Sequence, residues 1–307
     1  MSEQTEVQPA VTQALPGIQP PSVTTHSVTI GGRQLRYTAT AGFMRLTDDT
    51  GKPKADVFYM AYTADTGKGG ERPVTFAFNG GPGSSSVWLH CGALGPKRLD
   101  LHGDGAYPPV PPYRLIENEQ TWLAWTDLVF IDPVGTGFSR PAGESKREEF
   151  HGVTEDVASV GAFIRRYTSE NNRWMSPKFL AGESYGTTRA AALANYLQSA
   201  HGMSINGIAL ISSVLSFQTI AHEESPGNDL PYLCFLPAIA ATAWYHGLCA
   251  PAYRKNFATL IDDTREFSTG AYATLLAKGY GSTAAEERAA AAKISAFTGL
   301  PRTYIER

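Results

Sequence analysis

The chain has 307 residues, of which 42% are apolar, and its 26 Lys and Arg against 29 Asp and Glu leave a net charge of −3. That length buries a large core, as one big domain or two. The lack of a basic excess excludes nucleic acid and anionic membrane surfaces as natural partners, and no apolar run is long enough to span a bilayer.

The first 21 residues are polar and rich in Pro and Gln, without a basic start followed by an apolar stretch. They do not read as a secretory signal, so residues 1–25 are expected to be a disordered lead-in and the location cytoplasmic. Residues 26–47 and 56–63 alternate apolar and polar positions around turns at Gly31-Gly32 and Asp48-Asp49-Thr50-Gly51. That pattern predicts antiparallel strands opening a sheet. A Gly/Lys loop over 64–72 leads to a buried strand over 73–78, which runs into Asn79-Gly80-Gly81-Pro82-Gly83-Ser84-Ser85-Ser86. Residues 99–112 form a Gly/Pro-rich loop. Val153, Val157, Val160, Ile164 and Tyr167 recur at helical spacing, so their stripe is core rather than a site.

Residues 178–181 read as a short buried strand and 187–198 as an Ala/Leu-rich helix. Between them lies Gly182-Glu183-Ser184-Tyr185-Gly186. Gly-x-Ser-x-Gly alone is a weak signal. Between a strand and a helix it predicts a nucleophile elbow, with Ser184 pushed out at the tip of a tight turn. Its hydroxyl is then placed to attack a carbonyl. The Gly80-Gly81 turn supplies backbone N–H groups with no side chains in the way, which is what an oxyanion hole needs. After the elbow only 208–213 reads as a strand. A polar linker at 215–230 leads to helices at 236–245 and 284–297, with no terminal element after them and no internal repeat.

Asn79-Gly80-Gly81-Pro82-Gly83-Ser84-Ser85 with Gly182-Glu183-Ser184-Tyr185-Gly186 resembles the serine carboxypeptidase family. Asp127 to Ser139, containing Pro133-Val134-Gly135-Thr136-Gly137-Phe138-Ser139, is similar to that family's strand and following loop. The likeness runs from about residue 57 to 214. It implies an α/β-hydrolase fold: a mostly parallel sheet with antiparallel N-terminal strands and a helical cap. The hydrolase core would occupy 26–214 and the linker and cap 215–307. It also implies Ser184 as nucleophile, the N–H groups of Gly81 and Tyr185 as oxyanion hole, and Asn79, Gly80 and Glu183 as the grip on a peptide's free C-terminal carboxylate. An ionised Glu183 would repel that carboxylate, so the two share a proton. Peptide binding should then weaken toward neutral pH while esters and amides stay acceptable.

The sequence departs from the family in three places. Ser84 stands where the family often has a disulfide-bonded Cys. Ala93 stands where a Glu commonly pairs with the carboxylate-binding Glu. Ser184 also needs a His and an acid later in the chain. The only later histidines are His201, His222 and His246, with Glu223, Glu224 and Asp229 as the nearby acids, and none reads as a triad member. The chain is therefore expected to be the N-terminal part of a longer carboxypeptidase, inactive alone. A related acyltransferase or esterase, or a non-catalytic product, is the alternative. Cys234 and Cys249 flank the apolar helix and would bridge in an oxidising compartment, but the N-terminus argues for the cytosol and free thiols. Cys91 and His90 read as packing residues. No metal-ligand spacing, dinucleotide fingerprint or P-loop is present, so neither metal nor cofactor is expected.

Overall fold

The computed structural model describes residues 18–67, 71–101, 110–220 and 227–306. The chain divides into two units, residues 1–215 and 216–307.

In the first unit the strands are β1 (Ser22–Ile30), β2 (Arg33–Thr47), β3 (Pro53–Ala64), β4 (Val74–Phe78), β5 (Lys97–Leu99), β6 (Leu115–Glu117), β7 (Asp127–Ile131), β8 (Arg140–Pro141), β9 (Lys178–Glu183) and β10 (Gly207–Ile211). The main sheet runs β1-β2-β3-β7-β4-β9-β10, with β8 also paired to β3. The β1-β2, β2-β3 and β3-β7 pairs are antiparallel, and β7-β4, β4-β9 and β9-β10 are parallel. β1 starts at Ser22, four residues before the alternation becomes readable, because its first residues are exposed and carry no apolar pattern.

β4 and β7 are buried at every residue, as parallel strands covered on both faces are. Period-two alternation splits their side chains. Phe76, Phe78, Val129 and Ile131 face a cluster built with Val160, Ile164 and Leu193. Ala77, Leu128 and Phe130 face a second cluster with Leu89, Leu94 and Leu123. The first face is closed by α2 (Val153–Glu170) and α3 (Tyr185–His201). The second is closed in part by a turn that the sequence hides: α1 (Val87–Leu89) and the π-type turn His90–Leu94. That stretch is too short for a helical period to register. Each fully buried large apolar side chain contributes roughly 1.5–3 kcal/mol.

His90 belongs to this packing. Its ring stacks on Phe130 at 4.6 Å, and its Nε2 shares a 2.6 Å hydrogen bond with the Tyr62 hydroxyl. Burial pulls its pKa down from 6.5 to about 4. A histidine held neutral in the folded state is protonated first in the unfolded chain. The stability it contributes is complete above pH 6.5 and is lost as pH falls toward 4, up to roughly 2–3 kcal/mol. His90→Gln keeps a partner for Tyr62 and does not titrate. Urea unfolding at pH 7 and pH 4.5 should show a smaller acid loss for the variant than for the parent; equal losses would contradict this account.

The second unit is helical among its described residues: α4 (Leu230–Tyr245), α5 (Phe257–Phe267), α6 (Ala273–Lys278), α7 (Ala284–Thr298) and α8 (Arg302–Ile305). Ala240, Cys249, Leu260 and Phe297 form its core. α4 starts six residues before the expected 236 because Pro231 is tolerated in the first turn. α7 begins with a Thr283–Glu286 capping box. One expectation is corrected. α8 is a terminal element, a four-residue helix too short to be read from its pattern. Cys234 and Cys249 are not bridged: Cys234 is exposed on α4 and Cys249 is buried in the core. The linker residues 221–226 lie outside the described residues, as do 1–17 of the expected lead-in. No described helix is long and apolar enough to cross a membrane.

Candidate active site

The strand order brings three loops together. β4 lies between β7 and β9 and parallel to both, so the segments leaving their carboxyl ends emerge side by side. These are the three Gly-rich segments of the sequence: Asn79–Ser86 after β4, Asp132–Ser139 after β7, and the Ser184 turn after β9. The carboxyl edge of a parallel sheet is where such folds place ligands.

Ser184 sits between β9 and α3 with φ 58° and ψ −126°, a conformation that L side chains rarely adopt. Its N–H donates to Ile211 O at 2.9 Å, which ties the turn to the end of β10. The turn leaves no room for side chains. A Cβ on Gly186 would stand 2.8 Å from Phe78 O, and one on Gly182 would run into Gly186 O. Gly80 is wedged against the same turn. A Cβ there would meet the Tyr185 nitrogen, the Gly186 nitrogen at 2.6 Å and Glu183 O at 2.7 Å. The Gly80-Gly81 backbone and the Tyr185 amide are thus neighbours at the N-terminus of α3, where helix geometry favours negative charge.

Asn79 is fully buried and its side chain is used at both ends. Its Nδ2 donates to Glu183 Oε2 at 2.9 Å, and its Oδ1 accepts from the Leu89 N–H at 3.0 Å. The α1 turn therefore sets the orientation of the carboxamide. Asn79, Gly81, Glu183 and Ser184 line one cleft of about 370 Å³, together with Ser84, Trp88 and Leu89. Trp88 is 69% exposed and forms an apolar wall beside two polar groups. Ala93, at the position the family usually fills with Glu, is exposed and outside this cleft.

Beneath the cleft lies a buried ion pair. Arg189 is 1% exposed; its Nε donates to Asp156 Oδ2 at 2.8 Å and its Nη1 to Asn79 O at 2.7 Å. The guanidinium lies over the rings of Phe78 and Tyr185, 5.3 and 5.1 Å from their centroids. The Tyr185 hydroxyl donates to the same Asp156 oxygen at 3.1 Å, and burial, ahead of the Asp156 charge, pushes that phenol up to about 12. The pair joins α2, α3 and the end of β4. Asp132 organises the loops above: its Oδ1 accepts from Ser86 N–H at 2.9 Å and its Oδ2 from Phe138 N–H at 3.4 Å. Burial raises its pKa, and the two N–H bonds oppose that shift. Sequence reading missed Asp156 and Arg189. A signal existed, since both are charged residues set among apolar helical positions and so need a buried partner.

Among the described residues, no histidine lines the Ser184 cleft. His201 ends α3, the far end of a 17-residue helix from Ser184, roughly 25 Å away. Its ring packs edge-on to Tyr196, and its pKa is lowered by burial and then by Arg165. His246 is exposed after α4, Asp229 precedes the first turn of α4, and His222, Glu223 and Glu224 fall outside the described residues. No group of described His, Cys, Asp and Glu side chains is arranged to hold a metal.

The sequence model described as serine carboxypeptidase matches residues 31–270. The chain belongs to the serine carboxypeptidase family. It is 25% identical to serine carboxypeptidase-like 46 of Arabidopsis thaliana over 249 residues, 76% of this chain and 46% of that protein. It is 31% identical to the pheromone-processing carboxypeptidase KEX1 of Saccharomyces cerevisiae over 146 residues, 45% of this chain and 19% of that one. The chain thus spans less than half the length of these relatives. A solved structure, the rice cell wall degrading esterase LipA of Xanthomonas oryzae, aligns with 73% of this chain and 53% of its own at 13% identity and a TM-score of 0.38. The matched region holds all three site loops, and the fold is that of an α/β-hydrolase, as the family membership implies.

Proposed function

We propose that this chain carries the nucleophile and the carboxylate grip of a serine-type carboxypeptidase. The observation that supports it most is the 2.9 Å bond between Asn79 and Glu183 in the cleft that Ser184 lines. An amide donor paired with a carboxyl group suits a substrate that ends in a carboxylate, and serves little purpose for an ester with no such end. In this reading the Ser184 hydroxyl attacks the last peptide carbonyl and its proton passes to a base. The Gly81 and Tyr185 N–H groups hold the oxyanion. The base hands that proton to the departing nitrogen as the C–N bond breaks, the terminal residue leaves with a free amine, and the acyl group stays on Ser184 until water releases it. Among the described residues, neither the base nor its orienting acid lines this cleft. The 307-residue chain is accordingly expected to bind substrate without turning it over.

Calorimetric titration with a short peptide and with its C-terminal amide tests the grip without needing turnover. At pH 5 the free acid should bind about tenfold tighter than the amide, and its advantage should shrink by pH 7.5 as the shared proton is lost. Glu183→Gln should keep the Asn79 contact and flatten that pH dependence. Identical pH profiles for acid and amide would sink the proposal.

A further inference from the structure

A second cleft, of about 230 Å³, shares a wall with the first. Gly81 and Ser84 line the Ser184 cleft, while Pro82 and Gly83, between them in sequence, line the second. Ser184 likewise lines the first and Tyr185 the second. The dividing wall is therefore the Gly81–Ser84 turn and the Ser184–Tyr185 step, where the oxyanion donors are proposed to lie. The opposite side comes from the loop after β7, through Gly135 and Thr136, and from the segment before α2, through Arg147, Phe150 and His151.

The charges of this cleft do not balance. Asp156 and Arg189 at its base neutralise one another at 2.8 Å. Arg147 is exposed and, among the described residues, makes no ion pair; its guanidinium gives a 3.2 Å hydrogen bond to Gly135 O. His151 presents its imidazole beside it, with Nε2 3.8 Å from where a Cβ on Gly135 would stand. The neighbouring Glu149 is engaged by Lys54 at 2.6 Å and by the Lys146 N–H at 2.8 Å, and Glu148 and Glu155 do not line the cleft. One guanidinium is left facing a small, half-enclosed space with room for a side chain.

We propose that this cleft is a subsite for an acidic side chain on the acyl side of the scissile bond, with Arg147 as its charge partner and His151 as a further donor. The assignment rests on the carboxypeptidase reading, which fixes the direction of the peptide. With the C-terminus held at Asn79 and Glu183 and the attacked carbonyl at the wall, the penultimate residue crosses into the second cleft. Its carboxylate then meets Arg147, whose guanidinium can make a charge-assisted bond to it.

The test is calorimetric titration of this chain with Ala-Xaa-Ala tripeptides in which Xaa is Glu, Gln or Lys, each as free acid and as amide. Glu should bind three- to tenfold tighter than Gln, and Lys weakest. Arg147→Gln should bring the Glu/Gln ratio to about one, and Arg147→Glu should place Lys ahead of Glu; thermal melts check that both variants fold. Equal affinity for Glu and Gln in the parent chain, or a ratio retained in Arg147→Gln, overturns the subsite. The amides separate the two readings. Acids that beat amides with no Glu preference leave the carboxylate grip standing and remove the subsite. Amides that match acids while Glu is still preferred remove the carboxylate grip and with it the acyl-side placement, leaving only the pairing with Arg147. No binding by any of the peptides overturns both.

Discussion

Gly80→Ala should destabilise the first unit by about 3 kcal/mol and abolish binding of a free-acid peptide. The added Cβ would press on the Tyr185 and Gly186 nitrogens and on Glu183 O. All three are backbone atoms, so no flexible side chain can swing aside. Either the β4 loop retreats from α3 or the Ser184 turn changes conformation, and either movement separates the proposed oxyanion donors. Gly92→Ala is the matched control. Nothing lies within 4 Å of its added Cβ, and it should be neutral or stabilising by up to about 1 kcal/mol. Urea midpoints at unchanged slope, together with peptide titration, distinguish the two variants. A Gly80→Ala protein as stable as the parent would mean that the wedge is not tight.

Asp156→Leu should be at least as costly, about 3–5 kcal/mol, because it strands a guanidinium that is 1% exposed. Arg189→Met should be similarly harmful through Asp156. Asp156→Leu combined with Arg189→Met should lose much less than the two single losses added together, since a buried pair replaced by apolar groups leaves no unpaired charge. Stability and binding should then part company. The double variant still lacks the 2.7 Å bond from Arg189 to Asn79 O, so its stability should recover further than its affinity for a free-acid peptide. Additive single losses in the double-mutant cycle would show that Asp156 and Arg189 are not coupled.

What could be read from sequence, and what could not, follows from the range of the forces involved. The core strands were legible because β4 and β7 are short apolar runs and β2 and β3 alternate over many residues. The elbow was legible because Gly182, Ser184 and Gly186 answer a local steric demand. α1, the turn at His90–Leu94 and the antiparallel β5–β6 pair were not, since each is too short to show a period and is held by tertiary contacts. One such contact is Asn118 Nδ2 donating to Gly95 O at 2.8 Å. Asp156 and Arg189 stand 33 residues apart and meet only because α2 and α3 pack on the same face of the sheet.

By itself, then, the sequence determined the family, the tight turn at Ser184 and the Gly-rich loop, because each is a local backbone requirement written in consecutive residues. Tertiary structure alone decided that Asn79 bonds Glu183 across 104 positions, that Arg189 holds the Asn79 carbonyl from below, and that Arg147 faces a cleft behind the Gly81–Ser84 turn. Those pairings depend on strand order. With β4 between β7 and β9, three segments distant in sequence leave the sheet side by side, and no local pattern encodes which neighbour a strand will take.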